Sequence, residues 1–239
     1  MIRDSRMQNT FSEGLIGVLG SENLESQGAQ GLREVFGVRL QFLVKRMMDV
    51  LLSGAALVVL APLLVVIMLA IRLESKGSPI FTQLRWGRHD TKIRVLKFRS
   101  MRSEMGDASG ISQTVKGDPR ITRVGAFIRK TNLDELPQLV NVFRGDMSLV
   151  GPRCHAIGML AGGMQYEELV PRYHERHSIR PGLTGLAQMR GLRGPTDRPA
   201  KARARISADI YYVENFSILL DVQIMLGTIA SELRGGKGF

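Results

Sequence analysis

From Val50 to Ile71 the chain reads VLLSGAALVVLAPLLVVIMLAI, 22 residues without a charge. As a helix this run is about 33 Å long, enough to cross the hydrocarbon core of a bilayer. A buried core helix is the alternative. Core helices usually keep a polar stripe and this run has none, so its composition predicts membrane insertion. It begins far from the N-terminus and lacks a small-x-small exit, which sets it apart from a cleaved signal peptide. Pro62, near its middle, removes one backbone hydrogen bond and crowds the preceding turn, and this predicts a membrane kink. The kink is either a bend in a spanning helix or a turn-back that brings both ends out on one face. Arg33, Arg39, Lys45 and Arg46 precede the run, and Arg72, Lys76, Arg85 and Arg88 follow it. Positive charge on both sides favours a re-entrant, hairpin-like helix with both ends at the cytoplasmic leaflet.

The formal net charge is +11, from 33 Lys+Arg against 22 Asp+Glu, and implies an anionic partner. Nucleic-acid readers interleave basic and aromatic residues, whereas 6% of this chain is aromatic, and nucleic acid leaves the apolar run unexplained. Anionic lipids and phosphorylated substrates remain. The single cysteine, Cys154, allows no internal disulfide and no Cys/His set has zinc spacing, which fits a reducing compartment.

Residues 1–38 mix Gly, Ser, Gln and acids and read as a poorly ordered tail. Residues 39–76 hold the membrane element and its flanks, and 77–239 form a further domain with membrane-interface helices. In that domain SPIFTQLRW and KIRVLKF predict two strands joined at GRHD, and residues 108–120 a loop. Two helices separated near 131–136 follow, the second ended by Gly145. KARARISADIYYVENF has helical spacing, and 217–233 reads as core or as an interfacial helix. The fold class is α/β, mostly α: a re-entrant membrane helix plus a small domain with a short β-hairpin and interfacial amphipathic helices.

TNLDELPQLVNVF, at 131–143, places Asp134 beside Glu135 in an apolar setting where neighbouring carboxylates repel. Pro137 suits the first turn of a helix, so the pair falls at or just before that helix's N-terminus, where the macrodipole stabilises carboxylates. There they suit a nucleophile or a metal ligand, or merely a cap, since Thr131 and Asp134 also have capping-box spacing. Lys97, Arg99 and Arg102 in LKFRSMR, Arg120, Arg153 in GPR and Arg180 in RPG are cations beside turn residues, which suits phosphate binding.

KRMMDVLLSGAALVVLAPLL, PIFTQLRWG, LKFRSMR, the block from DPRITRVG through DELPQ to LVGPR, and RPGLTGLAQ stand in the order found in the bacterial sugar transferases. The chain resembles these monotopic polyprenyl-phosphate phosphoglycosyl transferases over about residues 40–236. The resemblance implies an enzyme at the cytoplasmic face of the bacterial inner membrane that joins a UDP-sugar to undecaprenyl phosphate with Mg2+. Carried onto this chain, it makes Asp134 the nucleophile and Glu135 its partner, both at the metal, with release of UMP through a covalent aspartyl intermediate. Lys97, Arg99, Arg153 and Arg180 are the expected phosphate-binding residues, and a homodimer stays open.

Two positions depart from the family pattern. Cys154 stands where proline usually follows GPR, which bears on the local backbone, and Leu186 replaces the tryptophan of TGWAQ, which bears on lipid contact. GPRCHA and GLRGPT resemble the glucose-1-phosphate-transferring branch as a catalytic core, with UDP-galactose as an alternative donor. A catalytically weak membrane scaffold of polysaccharide assembly is the competing class. His174 and His177 in YHERH lack an evident third ligand and read as structural or surface residues.

Overall fold

The structure, a computed structural model, describes residues 5–102, 117–196 and 198–234, with side chains from Gly37 on. The loop expected at 108–120 lies outside the described residues up to 116. The chain forms two compact units, one up to Lys45 and one from Arg46 onward.

Helix α1 (Ser5–Glu74) starts inside the stretch read as a tail and has Pro62 within it, with helix on both sides. Its Gly37–Glu74 part is long and apolar enough to cross a membrane. Among residues 46–74 one stripe is buried, through Asp49, Ser53, Ile67 and Ile71, at the i, i+4 spacing of one helix face. Leu51, Leu52, Val58, Val59, Val66, Leu69 and Leu73 on the other faces are exposed. So large a bare apolar surface is what lipid, rather than water, accommodates.

The hairpin forms as expected. Strands β1 (Ile80–Trp86) and β2 (Lys92–Phe98) pair antiparallel, Ile80 opposite Phe98 and Trp86 opposite Lys92, around a 3-10 turn at Arg88–Asp90. Helix α2 (Arg123–Lys130) is capped by Thr122, whose hydroxyl accepts from Gly125 N at 2.9 Å. Helix α3 (Gln138–Arg144) ends at Gly145, whose φ of 98° closes the last turn in the left-handed region. Strand β3 (Ser148–Val150) is followed by the two-residue pair β4 (Leu160–Ala161) and β5 (Met164–Gln165) and by the single turn α4 (Tyr166–Leu169). Strand β6 (Gly182–Thr184) pairs parallel with β3. The short α5 (Leu186–Met189), α6 (Pro199–Glu214) and α7 (Ile218–Leu233) complete the chain.

Both faces of β2 are covered. Phe98 meets Ile128 of α2 and Ile67 and Ile71 of α1, while Val95 meets Val142, Met147 and Cys154. Each such side chain contributes about 1.5–3 kcal/mol when withdrawn from water. Asn141, almost wholly buried on α3, accepts from Leu96 N at 2.9 Å and donates to Arg94 O at 2.8 Å, fixing α3 along the free edge of β2. Below it, Asp49 of α1 accepts from Ser148 Oγ at 3.0 Å and Leu149 N at 2.8 Å, and Arg46 donates to the α3 carbonyls of Val142 and Phe143 at 2.7 Å. Both ends of the apolar run therefore rest on the same small domain.

Candidate active site

The acidic pair sits in a 3-10 turn, Leu133–Glu135, between α2 and α3. Asn132, with φ 55° and ψ 13°, turns the chain sharply after α2, and Pro137 opens α3 with its fixed φ of −59°. The pair thus lies just ahead of a helix N-terminus, as the proline predicts. Capping is not its role. Thr131 instead donates from Oγ1 back to Phe127 O at 2.9 Å and closes α2, and no side-chain cap bonds the start of α3.

Lys97 follows Val95 on the same face of β2, two residues on, so a strand whose Val95 packs on α3 delivers Lys97 to the start of that helix. Its Nζ lies 2.8 Å from Glu135 Oε1. Arg153, three residues past β3, closes on the same carboxylate: Nη1 donates to Oε2 at 3.1 Å and Nη2 to Oε1. About 17% of the Lys97 and Glu135 side chains is exposed and 29% of Arg153, so solvent screens the contacts only in part.

The two carboxyls are driven apart. Burial raises Glu135's proton affinity, but Arg153 and Lys97 outweigh it and hold the group well below the usual range. Burial also raises Asp134; Lys97 opposes the rise and the Glu135 charge adds to it, leaving the net shift upward. Among the described residues no group donates a hydrogen bond to the Asp134 carboxylate. The turn presents one locked, ionised carboxylate beside one half-buried carboxylate with open lone pairs.

Arg153 is itself supported from behind. The buried guanidinium of Arg176 donates to Arg153 O and, through Nε at 3.0 Å and Nη2 at 2.7 Å, to Asp209 Oδ2 on α6. Around Arg153 the backbones of β3 and β6 nearly touch. A Cβ on Gly182 would collide with Gly151 N, and one on Gly151 would stand 2.5 Å from Arg180 O, so neither position has room for a side chain.

Two of the four expected phosphate-binding cations, Lys97 and Arg153, converge on the pair. Arg99 does not: its Nη2 donates to Ser75 O at 2.7 Å and Ser75 Oγ at 3.0 Å, and its Nη1 to Lys76 O, holding the carbonyls at the end of α1. Strand β2 ends at Phe98, so the period that would aim Arg99 beside Lys97 has already lapsed. Arg180 lies among Arg46, Arg88 and Asp49; burial and then the two like charges lower its proton affinity. Arg120 is taken by Asp118, to which Nε donates at 2.9 Å and Nη2 at 2.6 Å.

Leu186, expected to bear on lipid contact, is 2% exposed at the start of α5 and belongs to the interior. Cys154 is likewise buried in the β2–α3 core, its carbonyl accepting from Arg85 Nη1 at 2.8 Å. Both departures are packing positions. Sequence reasoning passed over Asn141, Arg176, Asp209 and Asp49; only the oddity of a lone polar residue in an apolar run, as in QLVNVF, marked one of them.

Comparison with known proteins adds an independent line. A family model described as "Bacterial sugar transferase" matches residues 40–235. The chain is similar to the "Exopolysaccharide production protein PSS" of Rhizobium leguminosarum bv. phaseoli, 64% identical over 84% of this chain and all of that relative. It is similar to the "UDP-glucose:undecaprenyl-phosphate glucose-1-phosphate transferase" of Caulobacter vibrioides, 46% identical over 79% of this chain and 69% of that relative. The "Undecaprenyl-phosphate glucose phosphotransferase" of Komagataeibacter xylinus is 44% identical over 82% of this chain, which spans 37% of that relative's length.

Proposed function

The chain belongs to the bacterial sugar transferase family, and from that membership and the geometry of the acidic pair we propose that it transfers glucose 1-phosphate from UDP-glucose to undecaprenyl phosphate, a first membrane step of exopolysaccharide synthesis. The observation that carries this reading is the contrast within the turn: Asp134 accepts no hydrogen bond among the described residues, while Glu135 is fixed between Lys97 and Arg153. The relatives' names support the choice of donor and acceptor.

An Asp134 oxygen attacks the sugar-bearing phosphorus of the UDP-sugar, the bond to the bridging oxygen breaks, and UMP leaves with that oxygen. An oxygen of the lipid phosphate then attacks the same phosphorus and displaces the Asp134 carboxylate, which gives the lipid diphosphate sugar and restores the enzyme. Lys97 and Arg153 keep Glu135 ionised and rigid, and their positive charge lowers the cost of bringing a diphosphate against two carboxylates. The donor set suits Mg2+, with Asp134 and Oε2 of Glu135 as the protein oxygens. When bound, Mg2+ supplies neutralisation of the diphosphate charge.

We place the reaction at the cytoplasmic face of the inner membrane. Arg46 and Asp49 at one end of the apolar run and Ile67 and Ile71 at the other all rest on one domain, which supports a re-entrant helix bent at Pro62 over a spanning one. The exposed Leu219, Leu226 and Ile229 of α7 support an interfacial face toward anionic lipid. Purified protein given UDP-glucose, undecaprenyl phosphate and Mg2+ releases UMP and forms a lipid-linked product; silence with every common UDP-sugar overturns the reading.

A further inference from the structure

The fold brings together three residues that the transferase reading does not use. The segment Tyr173–Ser178 is a 3-10 turn. With three residues per turn, side chains at i and i+3 eclipse, so His174 and His177 stand on one face. Their ring centroids are 5.5 Å apart. Facing them is Asp90, from the turn between β1 and β2. Its Oδ1 lies 2.7 Å from His174 Nδ1 and 2.5 Å from His177 Nδ1.

We propose that Asp90, His174 and His177 bind a divalent transition cation of the zinc class, at a site made of residues other than the acidic pair. Two imidazole nitrogens and a carboxylate oxygen form a donor set that favours zinc over magnesium, which prefers oxygen alone. All three ligand atoms fall within 4.8 Å of one another. Tetrahedral bonds of the zinc type need roughly 3.3 Å between neighbouring nitrogen and oxygen ligands, so the 2.7 and 2.5 Å separations open by roughly 0.6–0.8 Å as the cation enters.

The surroundings fit this use. His177 is buried, with its Nε2 in the interior and without a partner among the described residues, so Nδ1 is the ring atom turned toward Asp90. Its ring is held at fixed angles by Tyr173, centroids 5.3 Å apart and nearly perpendicular, and by Trp86 at 6.1 Å. His174 and Asp90 are about half exposed, 51% and 47%, which leaves an entry path and room for water as a fourth ligand. Asp90 reaches the histidines from a backbone with positive φ at two successive non-glycine residues, 53° at His89 and 55° at Asp90, a conformation that L residues seldom adopt. The cation would cross-link the β1–β2 turn to the segment that carries Arg176.

The test uses full-length protein in detergent, purified without a histidine tag and stripped with a chelator. Titration with Co2+ gives visible d–d absorption saturating at about one ion per chain, Zn2+ displaces it, and Zn2+ alone raises the melting temperature. His174→Gln and Asp90→Asn each weaken binding by more than about a hundredfold, beyond the roughly 10–100-fold that loss of an outer-shell partner costs. Asp134→Asn leaves it unchanged. Absence of both the Co2+ spectrum and the Zn2+ thermal shift in the unmodified protein overturns the proposal and leaves Asp90 as a hydrogen-bond partner of the two rings. Undiminished binding by both variants also overturns it. No substrate enters these measurements, so their failure is distinguishable from failure of the transferase reading.

Discussion

Arg176 and Asp209 face each other at 2.7 Å with 1% of either side chain exposed, and the same guanidinium grips the carbonyl of Arg153. The pair sits behind the Leu133–Glu135 turn and reaches it only through Arg153. Removing one partner strands a buried charge, so Asp209→Asn should cost about 3–5 kcal/mol. The double change Arg176→Met, Asp209→Leu should recover much of that stability without restoring the grip on Arg153. Denaturant melts and UMP release, measured together, separate the two effects: stability returns while turnover stays low.

The covalent route predicts UMP before any lipid is added, at most about one per chain, because a single nucleophile is consumed. Asp134→Asn should abolish this burst, since a neutral amide is a poor nucleophile. Glu135→Gln should reduce it less severely. A burst that survives in Asp134→Asn means the nucleophile is another residue.

The proposed nucleophile Asp134 must be ionised to attack and its proton affinity is raised, so the acid limb of the burst rate should lie above the ordinary aspartate value of about 4. Activity is present above the limb and disappears as pH falls through it. Lys97 opposes the rise and Glu135 adds to it. Lys97→Met should therefore move the limb to higher pH and Glu135→Gln to lower pH. Rate–pH profiles at sub-saturating Mg2+ check the sign, and shifts in the same direction would contradict the assignment.

Asp49 ties α1 to β3 through Ser148 Oγ and Leu149 N. Asp49→Ala should cost about 2 kcal/mol, as hydrogen bonds to a buried charged group do. Limited proteolysis in detergent should then cut faster between Glu74 and Ile80, the covalent link between the helix and the hairpin.

Tags at residues 1 and 239 should both report the cytoplasm, and Pro62→Leu should restore the missing helical hydrogen bond and favour a straight, spanning helix. A periplasmic N-terminal tag on the unmodified chain would sink the re-entrant reading.

The elements with local signals were legible in the sequence. GRHD marked the hairpin turn, Gly145 the end of α3 and Pro137 its start, because each acts through the backbone of its own few residues. The acidic pair and two of its cations were legible through the motif. What stayed hidden depends on contacts between distant segments: Asp90 meets histidines 84 and 87 residues away, and Asp209 meets Arg176 across 33. Arg99 does not join Lys97 at the acidic pair, because adjacency in sequence says nothing about a strand that stops one residue earlier.

The docking of both ends of the apolar run has a mechanical consequence. With Asp49 and Ile71 both packed on one body, the proposed re-entrant helix would enter and leave the bilayer by the same face. On that proposal the 22-residue insert would act as a wedge, adding area to one leaflet and none to the other. Membranes already stretched on that side, with gaps between their headgroups, take up such a wedge with the least work, so the amount bound to vesicles should rise as their radius falls.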